Sequence, residues 1–534
     1  MSWGSSGMNR ILARANKKIS LGGAATLLIV VALIGQVLGF LRNRLISTNF
    51  TVTDPGASDA FFTAFVIPDF FYFTIAAGAL GVAYMPVLAD KIASGNKKAV
   101  QDITNSLINV AMVAMLGVAV IIFVFAKPLM HALAPNLPPE NLQQAVTIMQ
   151  LLALNPLFFA VGGIVTSLQQ TYGRFFFYAV SSLFYNLAII ASVFLFKDSI
   201  GVIGLGIGAL VGGILQMLVS LLGMTGLGFK YSPKINWKSS DFRFVLRQIP
   251  PRSLDQGIDQ INSVVEVNRA QALGVGPVSY YTYATTLHNV PIMLIGNSIA
   301  TAAFPRLIER LSQNRPDLFR RDFVRVLVTM LWLVTPVAIV GYFARGYLAR
   351  IIFGDVAPEV ALIFGYLIAA IVGRIIYSML SRYFYANKDT LTPLYVSIFA
   401  IALNIYLAFT LAKPDSYGVA GLALAQSIVA LSEVAILMVI MMIRDRKIFG
   451  SYFWSSIGKL IPVAGFSVVA AFTAVSFLPL NLDDRGIVAL GSKLFIIGAI
   501  TFLTHLLVSF IFGLDQAKVV VLKAKEIILK PIRV

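Results

Sequence analysis

The chain has 534 residues, 58% of them hydrophobic and only 12% charged, where a soluble domain carries about 25% charged residues. With a mean hydropathy of +0.83 it is no ordinary soluble protein, and the lack of cysteine rules out disulfides, thiolate metal sites and cysteine nucleophiles. The net charge of +18 raises nucleic acid as a partner, but the placement of the basic residues assigns the surplus to membrane topology.

Apolar runs long enough to cross a bilayer, about 20 residues, recur along the chain. They predict an all-α polytopic membrane protein with fourteen transmembrane helices, near 22–41, 60–88, 103–126, 145–168, 176–196, 201–228, 248–272, 280–304, 324–344, 360–381, 391–412, 418–443, 457–479 and 489–513. A basic segment, residues 1–21 with Arg10, Arg14, Lys17 and Lys18, precedes the first span. No small-residue cleavage site follows, so that span reads as a retained helix.

The first span ends in GQVLGFLRNRLIS, with Arg42 and Arg44. These arginines suit either of two roles: interfacial anchors, or forked donors to phosphate at a cavity mouth. Asp59 opens the second span and Asp69 lies within it. Pro68 and Pro86 interrupt the second span, and Pro291 and Pro305 interrupt the eighth at related depths. Proline loosens the hydrogen-bond ladder and permits bending, so these helices are candidate gates, with static packing kinks as the alternative.

The chain repeats itself. Asp198–Leu205 (DSIGVIGL) returns as Asp415–Leu422 (DSYGVAGL), 217 residues on. Thr63, Ala83, Pro86 and Leu88 match Thr282, Ala302, Pro305 and Leu307 at an offset of 219, and Asn186 matches Asn404 at 218. Six spans separate the copies, so they run parallel about an axis along the membrane normal. The expected organisation is a first lobe (22–230, spans one to six), a basic linker (231–247), a second lobe (248–446, spans seven to twelve), two further helices (447–513) and a basic amphipathic tail (514–534). Two parallel six-helix lobes are expected to enclose a central cavity. GVIGLGIG at 201–208 contains a GxxGxG but lies inside an apolar span, and so reads as close helix packing.

The seventh span, LDQGIDQINSVVEVNRAQAL, carries Asp255, Asp259, Asn262, Glu266 and Arg269 at spacings of 4, 3, 4 and 3. These fall within an arc of about 80° on one helix face. An acid facing lipid costs roughly 2.5–3.5 kcal/mol, so the stripe is expected to line a cavity. Asp255 and Arg269 also suit the two interfaces; Asp259, Asn262 and Glu266 sit between them. An acid at that depth needs a proton, a cation or an arginine. Arg374 in the tenth span is one partner; a coupling cation, with Asn404 and Gln426 as neutral ligands, is the other.

Most of the 42 lysines and arginines fall on the even-numbered connections and the two tails, which places both termini on the cytoplasmic side and the tail along the inner leaflet. His131, His288 and His505 are too scattered for zinc, and neither a nucleophile–base pair nor a P-loop appears. The expectation is a transporter and not an enzyme, with no nucleic-acid partner.

Several ordered stretches, VLGFLRNRLI, SDAFFTAFVIP, AAGALGVAYMPVLADK, QINSVVEVNRAQALGVGPVSYYTYATTL, IATAAFPRL and FYANKDTLTP, resemble the MurJ/MviN lipid II flippases of the multidrug/oligosaccharidyl-lipid/polysaccharide exporter superfamily. The resemblance implies export of an undecaprenyl-pyrophosphate-linked saccharide-peptide from the inner to the outer leaflet of the bacterial cytoplasmic membrane. It implies alternating access, a cationic head-group cavity, a tail groove made with the last two helices, a drive from membrane potential or a coupled Na+ or H+, and the cell-wall synthesis machinery as a candidate partner. By position, Arg42 and Asp59 match family residues, and Glu266 and Asn404, with Gln426, fall where some members bind a monovalent cation. Arg44, Arg269 and Arg374 are candidate replacements for family arginines whose positions hold Tyr72 or Phe73 and Thr286; Ala408 stands where an acid is expected. The alternatives are a cation-coupled drug or metabolite antiporter of the same superfamily, and a non-transporting envelope scaffold.

Overall fold

The computed structural model describes residues 16, 21–50, 57–77, 84–481, 483–518 and 520; the side chains of some helical residues, 250–256, 258 and 259 among them, lie outside that description. The first residues and most of the basic tail therefore lie outside it as well. The described residues are helical, without strands. Among the described residues twelve helices are long and apolar enough to cross a membrane, where fourteen were expected. The two that fall short are the second and the seventh. The second is described as Ala57–Tyr72, a π-helical turn Phe73–Ala77 and Met85–Ala93, with residues 78–83 outside the description. The seventh, Ser240–Gln271, is continuous but carries too many polar side chains.

The repeat is visible in the helix starts. Lys97 and Pro316 begin corresponding helices, as do Pro139 and Ala357, Phe176 and Leu391, and Ile203 and Ala420. The π-helical turns Phe73–Ala77 and Ile292–Asn297 begin 219 residues apart, the offset read from the sequence. The DSxGVxGL copies also have one physical cause. Gly201 and Gly418 take positive φ (59° and 54°), which reverses the chain between helices. A Cβ on Gly204 would lie 2.2 Å from Phe196 Cβ, and one on Gly421 would lie 2.3 Å from the Leu411 carbonyl. In each copy the second glycine lets a helix start against the end of the one before it. Within GVIGLGIG, a Cβ on Gly208 would meet Ser192 Oγ at 2.2 Å, the close approach by which helices pack in lipid.

The chain forms two compact units, Met1–Ser279 and Tyr280–Val534. The first takes in the seventh helix, so packing ends this unit later than the repeat ends its lobe. Gly257 permits that packing, since a Cβ there would sit 3.1 Å from Thr74. Asn268 donates to the Leu133 carbonyl at 2.9 Å and Gln271 to Thr63 Oγ1 at 2.8 Å. The basic linker is clasped to helix Lys97–Leu133: Asn105 donates to the Lys230 carbonyl, Asn109 to that of Ser232, and the Asn236 amide to Ser106 Oγ. Three buried polar residues in an apolar helix thus satisfy the backbone of an extended segment. Ser239 then caps the seventh helix through the Phe242 amide, and Phe242 and Val245 are buried in a cluster with Leu88, Ile103 and Leu168.

In the second unit the last two helices, Ser451–Phe477 and Gly486–Ile511, dock on Pro316–Phe343. Lipid tails give little driving force for helix association, so small residues and hydrogen bonds carry it. Trp332 Nε1 donates to Ser509 Oγ at 2.9 Å, and Ser467 Oγ meets His505 Nδ1 at 3.1 Å. The outward faces remain apolar, with Phe495 and Ile511 three-quarters exposed.

Candidate functional site

In the first unit the end of helix Leu21–Asn49 holds a framed arginine. Arg42 donates through Nε (3.1 Å) and one terminal nitrogen (3.0 Å) to Asn43 Oδ1, and through the other to Asn186 Oδ1 at 3.1 Å. Asn43 is fully buried, so its amide oxygen fixes the guanidinium from behind. Arg44 is half-buried two residues on. Tyr185 lies within electrostatic reach of both Arg42 and Asp69, and Tyr72 within reach of Asp69. Edge-on contacts join Tyr72 to Phe159 and Phe159 to Tyr185. An aromatic cluster thus surrounds the position where a second arginine was expected.

Asp59 is fully buried. Its carboxylate accepts from the Gly276 amide (2.6 Å), the Ser279 amide (2.8 Å) and Ser279 Oγ (2.5 Å). This is an N-terminal cap on helix Pro277–Pro291: an anion satisfies amides that the helix itself leaves without partners. The residue read as a substrate contact is engaged in holding the chain where the first unit ends.

On the seventh helix, Asn262 donates to Glu266 Oε1 at 3.0 Å, and Glu266 is buried at 7% exposure. Arg269 is half-buried. The side chains of Asp255 and Asp259 lie outside the described residues. Gly257, Asn268 and Gln271, which pack on the first unit, cluster on one face. At about 100° per residue the stripe from Asp255 to Arg269 centres on the opposite side.

The second unit brings together Arg374, Glu433 and His288. Arg374 donates to Glu433 Oε2 at 2.6 Å, with the glutamate side chain 3% exposed and the arginine 35%. Glu433 is an acid the sequence reading passed over, one more polar residue in an apolar span. His288, buried on helix Pro277–Pro291, lies within electrostatic reach of Arg374. Asn404 is buried, and Gln426 donates to Tyr281 Oη at 2.6 Å. Glu266 thus belongs to the first unit, and the two amides read with it as cation ligands belong to the second.

Of the four prolines, Pro68 lies inside helix Ala57–Tyr72, one turn before the first π-helical turn, and Pro291 immediately precedes the second. Pro86 opens Met85–Ala93, and Pro305 lies inside Ser298–Ser312. In FYANKDTLTP, Asp389 caps the helix that follows by accepting from the Leu391 and Thr392 amides and the Thr392 hydroxyl, and it also pairs with Arg444. Burial works against its charge, but these hydrogen bonds and the arginine hold its carboxyl down at about 2.

A sequence model of the lipid II flippase MurJ family matches residues 52–481. A probable lipid II flippase MurJ of Borreliella burgdorferi is 25% identical over 442 residues, 79% of this chain and 84% of that protein. Among solved structures, lipid II flippase MurJ in an inward closed conformation superposes with a TM-score of 0.75 at 22% identity, covering 92% of this chain and 99% of the other. A multidrug resistance MATE family transporter of the MOP superfamily, inward-facing, gives 0.63 at 15% identity, over 78% and 98%.

Proposed function

Because the chain belongs to the lipid II flippase MurJ family, we infer that it is a lipid II flippase, a multi-pass membrane transporter of the lipid-linked peptidoglycan precursor. The family match over residues 52–481 carries this conclusion. The likeness to a multidrug transporter extends to the fold alone and does not favour an antiporter.

The finer steps are our reading. The protein moves its substrate from the inner to the outer leaflet of the bacterial cytoplasmic membrane by alternating access, with both termini cytoplasmic and no covalent chemistry. Arg42 receives the pyrophosphate; what supports this is a guanidinium oriented by two asparagines, since a pre-set fork suits phosphate oxygens. Arg269 ends the polar stripe, and Arg44, half-buried about 200° round the helix from Arg42, is a separate candidate donor. Asp69 and the Tyr72–Phe159–Tyr185 cluster lie beside Arg42 and suit the sugar and lipid-proximal part of the head group. Glu266, oriented by Asn262, is the acid we assign to coupling, whether to a proton or to a monovalent cation. The prolines beside the π-helical turns mark where the second and eighth helices bend.

The test is lipid II translocation in proteoliposomes, comparing the parent chain with Arg42→Ala. The expected result is transport by the parent and a loss of at least a hundredfold in the variant, which stays folded with only a small drop in unfolding temperature. Undiminished transport by Arg42→Ala removes the phosphate role, and no transport by a folded parent under either a potential or a cation gradient removes the substrate assignment.

A further inference from the structure

Away from Arg42 and the polar stripe, the second unit holds a cavity of about 360 Å³ lined by Arg320, Arg321, Arg325, Lys447, Tyr452 and Phe453, among others. It lies where helix Pro316–Phe343 begins, Ala420–Arg444 has ended and Ser451–Phe477 begins. We propose that this cavity binds the phosphate-bearing head group of an anionic phospholipid.

The charge is arranged to remain available. Arg320 forms a fixed wall, bonded to Asp445 at 2.7 Å and Asp317 at 3.0 Å. Arg321 lies 3.7 Å from Asp322, but that buried acid already takes Arg306 at 2.9 Å and Arg310 at 3.2 Å. Arg325 and Lys447 are exposed and enter no ion pair among the described residues. The cavity therefore presents cations whose nearby carboxylates are already shared. Gly450 adds an opening without a side chain, and the first turn of Ser451–Phe477 supplies backbone amides beside it.

Size and setting select a lipid over a free anion. Head-group sites fall in the range of about 300–1,000 Å³ typical of small-molecule pockets, larger than a lone phosphate needs. Buried Val324, Ile448 and Phe453 give the cavity an apolar floor. Tyr452 and Trp454 stand exposed at the start of the helix, as aromatic residues do at the level of lipid head groups. A basic pocket between transmembrane helices on the side of basic loops is the setting in which anionic head groups bind.

The experiment is equilibrium binding of short-chain phosphatidylglycerol to the full chain in an uncharged detergent. Phosphatidylcholine and inorganic phosphate are titrated alongside, and the variants are Arg325→Gln/Lys447→Gln, Lys447→Arg and Arg42→Ala. Saturable binding with at least a tenfold preference over phosphatidylcholine is expected. The double variant should bind roughly ten- to thirtyfold more weakly while unfolding at the parent's temperature, and Lys447→Arg and Arg42→Ala should bind as the parent does. Equal binding by the double variant overturns the site, as does loss of binding in Arg42→Ala, which would place the head group elsewhere. Displacement by equimolar inorganic phosphate overturns the lipid and makes the ligand a free anion.

Discussion

Two arginines in membrane-spanning helices are held in different ways. Arg42, in the first unit, is framed by the amide oxygens of Asn43 and Asn186. Arg374, in the second, meets the buried carboxylate of Glu433. An amide oxygen fixes the direction of a guanidinium, and a carboxylate at 2.6 Å also opposes its charge. On our proposal the amide contacts orient Arg42 for an incoming anion, while the carboxylate contact of Arg374 ties two helices of one unit together. The difference lies in the partners, which residue type alone does not reveal.

Breaking the second pairing should have the larger effect on stability. Glu433→Gln leaves the charge of Arg374 beside a neutral group, and the expected loss is about 3 kcal/mol, toward the low end for a broken buried pair because the arginine is partly exposed. Thermal unfolding of the purified protein measures it, and Arg374→Met/Glu433→Met should recover most of the loss. A Glu433→Gln protein as stable as the parent would deny the pair its structural role. Asp59→Ala comes next, at about 2 kcal/mol, because two backbone amides lose a buried acceptor; faster hydrogen exchange at Gly276 and Ser279 would report it locally. Asn186→Leu should cost only about 1 kcal/mol of stability and yet slow lipid II transport roughly tenfold, the equivalent of about 1.4 kcal/mol in orienting Arg42. If that variant loses stability and keeps transport, the two arginines have exchanged roles.

The smallest effect belongs to Asp389, outside the membrane-spanning segments. Its carboxyl is held at about 2, below the usual carboxylate value near 3.9. The stability it contributes is therefore complete above about pH 4 and disappears as the pH falls through about 2. Unfolding measured between pH 5 and pH 2.5 should show a drop in the parent that Asp389→Asn flattens; equal slopes would mean that the Arg444 contact contributes nothing.

The helices, the two copies and their offset could be read from the sequence because apolar runs and recurring glycines are local signals. So could the polar stripe, whose spacing alone puts Glu266 and Asn262 on one face. The partners could not be read. Asn186 entered the sequence reading only as a repeat match, and nothing local ties it to Arg42, 144 positions earlier. Glu433 lies 59 positions from Arg374 and was missed, because a lone acid in an apolar run has no spacing to interpret. Asp59 is a further case: it was matched by position to a family residue, and the amides it accepts from lie more than 200 residues away. Asn105, Ser106 and Asn109 are a milder case, because their polarity in an apolar helix is explained only once the linker lies across them.

The paired π-helical turns have a consequence for the history of the chain. One extra residue in an α-helix rotates everything beyond it by about 100°, so a turn that absorbs the excess preserves the faces on either side. Both copies carry such a turn at the same register, beginning at Phe73 and Ile292. A turn beginning at one register in both copies is what an insertion made before the duplication would leave. A chimaera built by exchanging these helices between relatives must keep the extra residue in both halves or remove it from both.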